Sequence, residues 1–227
     1  MSVDDLVRKY PKLYHMAEIR NWNSICSYGL LSTSALLDLF EYTGQKRFEI
    51  ESQLRSREFR ITHPVHGEAF IRDQDPLRDR PVDNVYLVKC LVDMTPQQWF
   101  ELLNRKTFFW TDLPGLKNML GAKLYQSRTH YVITVCTKKL LERYAGKVTL
   151  SSINSGSLYF NNGKIPRTKD TFRPLEQWSF TQAVKELAVD YSVPDIADLM
   201  TSVTECKCSW ANGQKVYKEI KCIWPQQ

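Results

Sequence analysis

Several things are missing from this sequence, and each absence removes a class of protein. No stretch approaches eighteen consecutive apolar residues, so no segment reads as a membrane span. There is no Gly-x-Gly-x-x-Gly and no glycine-rich loop ending in Gly-Lys-Ser/Thr. Both motifs wrap backbone N–H groups around phosphates, so their absence argues against the Rossmann and P-loop readings. Internal repeats and low-complexity tracts are also absent. There are only six cysteines, and most sit in or beside apolar runs, which predicts buried thiols rather than a disulfide framework. Cys206, Cys208 and Cys222 supply three thiolates with no histidine nearby in sequence, so tetrahedral zinc lacks its fourth ligand there. His63 and His66 flank Pro64 and precede Gly67, which disfavours a helical i,i+3 pair and predicts a loop. No metal site is expected. Met1 to Leu6 is acidic and lacks the basic-then-apolar pattern of a signal peptide, so the expectation is an unprocessed cytoplasmic protein.

The 227 residues are 43% hydrophobic and 12% aromatic, enough for one domain with additions or at most two small ones. Lys and Arg outnumber Asp and Glu by 31 to 25, a net charge of +6. That balance suits a polyanionic partner without selecting one.

Helical and strand patterns alternate along the chain without a steady βαβ rhythm, which predicts an α+β domain. Val3 to Tyr10 reads as a helix with Asp4 and Asp5 in its first turn, and Lys12 to Ala17 as a strand carrying His15. Asn21 to Tyr28 is an amphipathic helix stopped by Gly29. Ser32 stands ready to cap a helix over Ala35 to Phe40. Residues 44–93 are less regular: a helix over Phe48 to Arg57, a strand toward Thr62, loops from His63 to Pro76, and an ambiguous Val85 to Val92. Thr95-Pro96 opens a helix that runs to Asn104. Thr107-Phe108-Phe109-Trp110 is an aromatic strand, Leu113 to Tyr125 a helix, and His130 to Val135 a buried strand. Lys138 to Ala145 is a helix and Lys147 to Ile153 a strand. Asn154 to Lys169 is a long polar loop, followed by a helical turn at Phe180 to Val184 and a strand from Lys185 to Asp190. Glu205 to Trp210 and Lys215 to Ile223 flank Ala211-Asn212-Gly213-Gln214, a hairpin with an Asn-Gly turn.

Several residues have both a bland and a chemical reading. His15 between Tyr14 and Met16 suits a satisfied core histidine as well as a working one. Phe108-Phe109-Trp110 suits a buried strand, although neighbouring side chains on it face opposite ways. Glu186 suits a solvated charge at a strand start. Arg72-Asp73-Gln74 suits loop bracing and substrate contact equally, and Lys207, Lys215, Lys218 and Lys221 suit either a nucleic-acid surface or a lysine-protected edge.

Taken in order, these pieces resemble the ADP-ribosyltransferase-like superfamily. The resemblance rests on Leu13-Tyr14-His15 with Ser24-Ile25 and Gly29-Leu30-Leu31-Ser32. It continues through Thr107 to Trp110, a helix with Ala122 and Tyr125, and Tyr131 to Val135. It ends in Glu186-Leu187-Ala188-Val189 and Val193-Pro194-Asp195-Ile196. Within the superfamily the sequence is most similar to the DarT-type nucleic-acid ADP-ribosyltransferases, especially over Asn104-Arg105 and Phe109-Trp110. It is also similar to an uncharacterised bacterial domain family with Tyr-His-Met-Ala, Arg-Asp-Gln and Asn-Ser-Gly-Ser patterns.

The resemblance implies split mixed β-sheets flanked by helices over residues 1–200, with an irregular insertion about 44–93. Residues 201–227 would form a C-terminal hairpin packed on the same domain. It implies an NAD-dependent transferase acting on a macromolecule, with a nucleobase of DNA or RNA as acceptor, and a toxin or phage-defence role with an inhibitory antitoxin partner. Glu186 would stabilise the ribosyl cation, and Arg105 would clamp the pyrophosphate or orient Glu186. His15, with Met16 and Ala17, would hold the ribose, Phe109 or Trp110 would pack on nicotinamide, and Ser155 and Ser157 would contact NAD. Here the sequence departs from the superfamily, which usually places a tyrosine where this chain has Phe-Phe-Trp. The rival readings are a base glycosylase that needs no NAD and a non-catalytic nucleic-acid-binding module.

Overall fold

The computed structural model describes residues 1–74, 85–126, 128–158, 164–211 and 213–224. Helix α1 (Val3–Lys9) begins at a Ser2–Asp5 capping box and leads into strand β1 (Lys12–Glu18). Helix α2 (Trp22–Tyr28) stops at Gly29. That glycine has φ +79°, and a Cβ on it would sit 2.4 Å from the Pro194 backbone. Only glycine meets both demands. The close approach lets β2 (Leu30–Leu31) pair with Ser192 and Val193. Helix α3 (Thr33–Leu39) is capped by Ser32 and is followed by α4 (Gly44–Glu51). Strands β3 (Phe59–His63) and β4 (Gly67–Ile71) form a separate hairpin.

After α5 (Val85–Cys90), α6 (Pro96–Asn104) starts at a Thr95–Gln98 capping box with Pro96 in its first turn. Then follow β5 (Lys106–Trp110), α7 (Leu113–Leu120), β6 (Thr129–Cys136), α8 (Thr137–Tyr144), β7 (Val148–Ser151) and β8 (Arg173–Pro174). The chain continues through β9 (Glu186–Asp190), β10 (Ser192–Val193) and α9 (Ile196–Leu199) into the hairpin β11 (Met200–Ala211) and β12 (Gln214–Trp224). No helix among the described residues is long and apolar enough to cross a membrane.

The large sheet has the order β12-β11-β6-β1-β5-β9-β7-β8. Strand β1 pairs with β6 along its whole length, from Lys12–Cys136 to Glu18–His130. With β5 it shares one register pair, Tyr14–Trp110. The sheet is therefore two four-stranded halves joined at a single rung. One face carries the main core, where Leu13, Phe109, Ile133, Leu187 and Val189 pack against Leu140 and Ile196. The other face carries two smaller clusters. In one, Trp99 and Phe100 of α6 lie over Ala188; in the other, Leu116 and Leu120 of α7 lie over Met16, Val132 and Cys206.

The α+β class and the C-terminal hairpin agree with the sequence, while several details differ. Every strand pair in the described sheets is antiparallel, not mixed. Apart from the β3–β4 and β11–β12 hairpins, neighbouring strands are separated by long excursions, which leave their relative direction free of a βαβ crossover. Residues 67–71 form a strand rather than a loop: Ala69 and Ile71 point inward and Glu68 outward, a short alternation hidden among turn-forming residues. Helix α4 ends at Glu51, ahead of Arg57, and α7 ends at Leu120, with turns carrying the chain to Tyr125. Residues 180–184 form a turn without a helix. All six cysteines are free, and Cys26 and Cys222 are exposed rather than buried. Asp75, Pro76 and the hairpin's Asn212 lie outside the described residues.

Candidate active-site cleft

A cleft of about 1640 Å³ opens where β1 and β5 part, lined both by main-core residues such as Ile25 and Leu30 and by Met16 and Trp110 of the other face. Beyond the Tyr14–Trp110 rung the ladder between them stops, and the His15 side chain takes over. Its Nδ1 lies 2.8 Å from the Phe108 carbonyl oxygen. A carbonyl only accepts, so Nδ1 carries the proton and Nε2 of the neutral ring is an acceptor. Burial pulls the His15 pKa below the ordinary histidine value. The Phe108 hydrogen bond opposes that shift, and the Arg72 charge adds to it. Neutral imidazole is thus the resting form.

Trp110 is set by α7. Its Nε1–H donates to Met119 Sδ at 3.3 Å, and a Cβ on Gly115 would come within 2.6 Å of the indole. On its other side Trp110 pairs with Glu186, which in turn pairs with Ser151. Tyr14, Trp110, Glu186 and Ser151 therefore form one row across four strands, about 5 Å apart at each step.

Glu186 is buried, with a relative exposure of 6%. Ser155 donates to its Oε2 from both the backbone N–H (3.1 Å) and Oγ (2.7 Å). Nothing among the described residues donates to Oε1. Arg167 braces the serine loop through Nη2 on the Ser157 carbonyl at 2.6 Å. Burial pushes the Glu186 pKa up to about 7, against the Ser155 bonds and the Arg167 and Lys185 charges. A carboxyl balanced between its two states near neutrality, on the wall of a cleft, is a group suited to acid–base or electrostatic work.

Most of the residues singled out from sequence meet here. His15, Met16, Ala17, Trp110, Ser155, Ser157 and Glu186 all line the cleft. Arg105 and Phe109 do not. Arg105 is the exposed C-cap of α6, and its carbonyl accepts the Tyr191 N–H at 2.6 Å. About 16 Å of strand separates it from Trp110. Phe109 points to the main core, as strand alternation requires, and backs His15 with ring centroids 5.8 Å apart.

All three residues of the Arg72-Asp73-Gln74 stretch line the cleft, and Gln74 is also buried and braces the insertion, with Oε1 accepting the Arg55 N–H at 3.1 Å. Arg167 went unmarked in the sequence because a lone arginine after a proline carries no pattern. Tyr125 shares the cleft wall, with the Arg72 guanidinium 4.0 Å from its ring centroid.

A family model matches residues 11–200. The chain belongs to the DUF7002 family, a family of unknown function. Comparison with curated proteins finds no match, and neither does comparison with solved structures. The DUF7002 span takes in the cleft lining except Lys215 and stops at Met200, where β11 begins.

Proposed function

We propose that this DUF7002 protein is an NAD-dependent ADP-ribosyltransferase with an ADP-ribosyltransferase-like fold, and that its acceptor is a nucleobase of DNA or RNA. The observation that carries the reading is the placement of a neutral His15, the Trp110 indole and the buried Glu186 on one cleft at the split of the sheet. As the nicotinamide–ribose bond breaks, positive charge grows on the ribose. Ionised Glu186 stabilises that charge, worth the most in a site shielded from water. His15 Nε2 accepts a ribose hydroxyl without adding a positive charge beside the cation. Trp110 offers its face to the nicotinamide ring. Nicotinamide departs with the electron pair of the broken bond, an acceptor N–H bonds to the ribose carbon through its nitrogen, and Glu186 orients that attack and takes the proton it releases.

A nucleic-acid acceptor is supported by the rim. Lys123, Lys185 and Lys215 line the cleft, and Lys215 lies 5.8 Å from the ring of the exposed Trp210. Cations interleaved with an aromatic face suit a single strand. The resemblance extends this to a toxin or phage-defence effector restrained by an inhibitory partner.

The test is nicotinamide release from NAD in the presence of single-stranded oligonucleotides, with the mass of the oligonucleotide followed in parallel. The expected result is release coupled to a mass gain of one ADP-ribosyl group. Glu186→Gln should lower the rate by about 10²- to 10³-fold with the fold intact, the usual scale for losing one transition-state electrostatic contact. No release with DNA, RNA or cell lysate sinks the reading. Loss of a base without NAD makes the protein a glycosylase, and salt-sensitive binding without turnover makes it a binding module.

A further inference from the structure

Arg72 stands at the end of the β3–β4 hairpin, on the cleft wall that also holds His15. Its guanidinium lies over the Tyr125 ring, 4.0 Å from the centroid. Its Nη2 is buried and has no hydrogen-bond partner, and no carboxylate among the described residues pairs with it. Of the other carboxylates on the cleft, Glu18 pairs with Arg20, Asp112 caps α7, Glu186 is held by Ser155, and Asp73, next in sequence, acts on the buried Arg55 charge. The position is fixed from behind, because the Arg72 carbonyl accepts Arg55 Nε at 2.9 Å. A guanidinium with an unpartnered Nη2, held over an aromatic ring at the wall of a cleft, is a preorganised donor for phosphate oxygens.

We propose that Arg72, on its Tyr125 platform, is an anion subsite of the cleft that takes a phosphate ester, the pyrophosphate of the dinucleotide. The pyrophosphate assignment rests on the NAD reading above, whereas the anion subsite rests on the geometry alone. The neutral state of His15 fits with it. The Arg72 charge lowers the pKa of both His15 and His130, and an anion bound between Arg72 and the ligand's ribose would offset that effect on His15.

The experiment measures binding of inorganic pyrophosphate, ADP-ribose and adenosine to the whole chain by calorimetry, for wild type, Arg72→Gln and Arg72→Lys. Arg72→Gln should weaken pyrophosphate and ADP-ribose by about 10- to 100-fold, the scale of charge-assisted hydrogen bonds, and leave adenosine unchanged. Arg72→Lys should fall between, since it keeps the charge and loses the planar fork. A second readout needs no folded variant: in wild type, pyrophosphate should raise the His15 pKa followed by NMR. A folded Arg72→Gln that binds pyrophosphate undiminished overturns the subsite. So does a wild type that binds neither pyrophosphate nor ADP-ribose, or a His15 titration that stays put while pyrophosphate binds. Arg72-dependent pyrophosphate binding without nicotinamide release upholds the subsite and defeats the transferase reading. Nicotinamide release with an unchanged KM for NAD in Arg72→Gln does the reverse.

Discussion

Two buried charges, Arg55 and Glu186, are built in opposite ways. Arg55 is 6% exposed, and its guanidinium is satisfied by backbone and amide oxygens: Nε donates to the Arg72 carbonyl, and Nη1 to the Ile50 carbonyl and Asn104 Oδ1. Asn104 completes the knot by donating to the Glu51 carbonyl at 2.7 Å. Burial lowers the Arg55 pKa to about 10, with Asp73 and Glu51 opposing, so it stays charged at neutral pH. Glu186 has the same 6% exposure, yet its hydrogen bonds reach one oxygen only, and its pKa rises to about 7. Burial is equal in the two cases. Burial works against the charged form of both; a guanidinium starts far above neutrality and stays charged, whereas a carboxyl starting from 4.5 is carried to the neutral range. With three acceptors on Nε and Nη1, the Arg55 charge is architecture, and it ties the 44–74 insertion to α6. A charge that is half partnered on a cleft wall keeps a chemical choice open.

The hardest way to break this comparison is to remove the satisfied charge. Arg55→Leu should destabilise the protein by about 3–5 kcal/mol, since three acceptors lose their donor inside the fold. Denaturant unfolding measures it. A loss below about 1 kcal/mol would mean that the knot is ornamental.

Removing the half-satisfied charge should have the opposite sign. The Glu186 pKa is raised from 4.5 to about 7, so the folded state binds its proton more tightly than the unfolded chain does. The stabilising contribution is complete below pH 4.5 and is lost as pH rises through 7. Glu186→Gln removes this loss. Its stability should match wild type near pH 4 and exceed it by up to about 3 kcal/mol at pH 8, as the shift converts at about 1.4 kcal/mol per unit. Unfolding curves at several pH values test this, and a difference that does not grow with pH contradicts it.

The smallest effect comes from trimming Ser155, the one residue among those described that hydrogen-bonds Glu186. Ser155→Ala takes away the Oγ bond, which favours the ionised form. The acid limb of the rate–pH profile should move upward by about one unit, while the rate well above it stays near wild type. An unmoved limb would assign the titration to another group.

Much of the scaffold was legible in the chain. The Ser2, Ser32 and Thr95 caps, the Gly29 stop and the strands around His15, Phe109 and Ile133 lie where local chemistry places them. Those signals work at short range, through hydrogen bonds to the nearest N–H groups and through alternation on one strand. The site was legible only where the same logic reached it. Alternation separates Phe109 from Trp110, and the structure turns Trp110 to the cleft. Arg105 lies beside the aromatic strand in sequence but at its far end in space, whereas Arg72, from a distant hairpin, stands where a cation is available to a ligand.

The sequence by itself determined most of the element types, the α+β class and the residue types available for chemistry, because propensity, capping and periodicity are properties of neighbouring residues. Tertiary structure alone decided that β1 and β5 meet at a single rung, that His15 substitutes for the missing ladder bond, and that Ser155 and Arg167 set the environment of Glu186. Those are contacts between residues dozens of positions apart, and the burial and pairing that tune a charge exist only once the chain has closed around it.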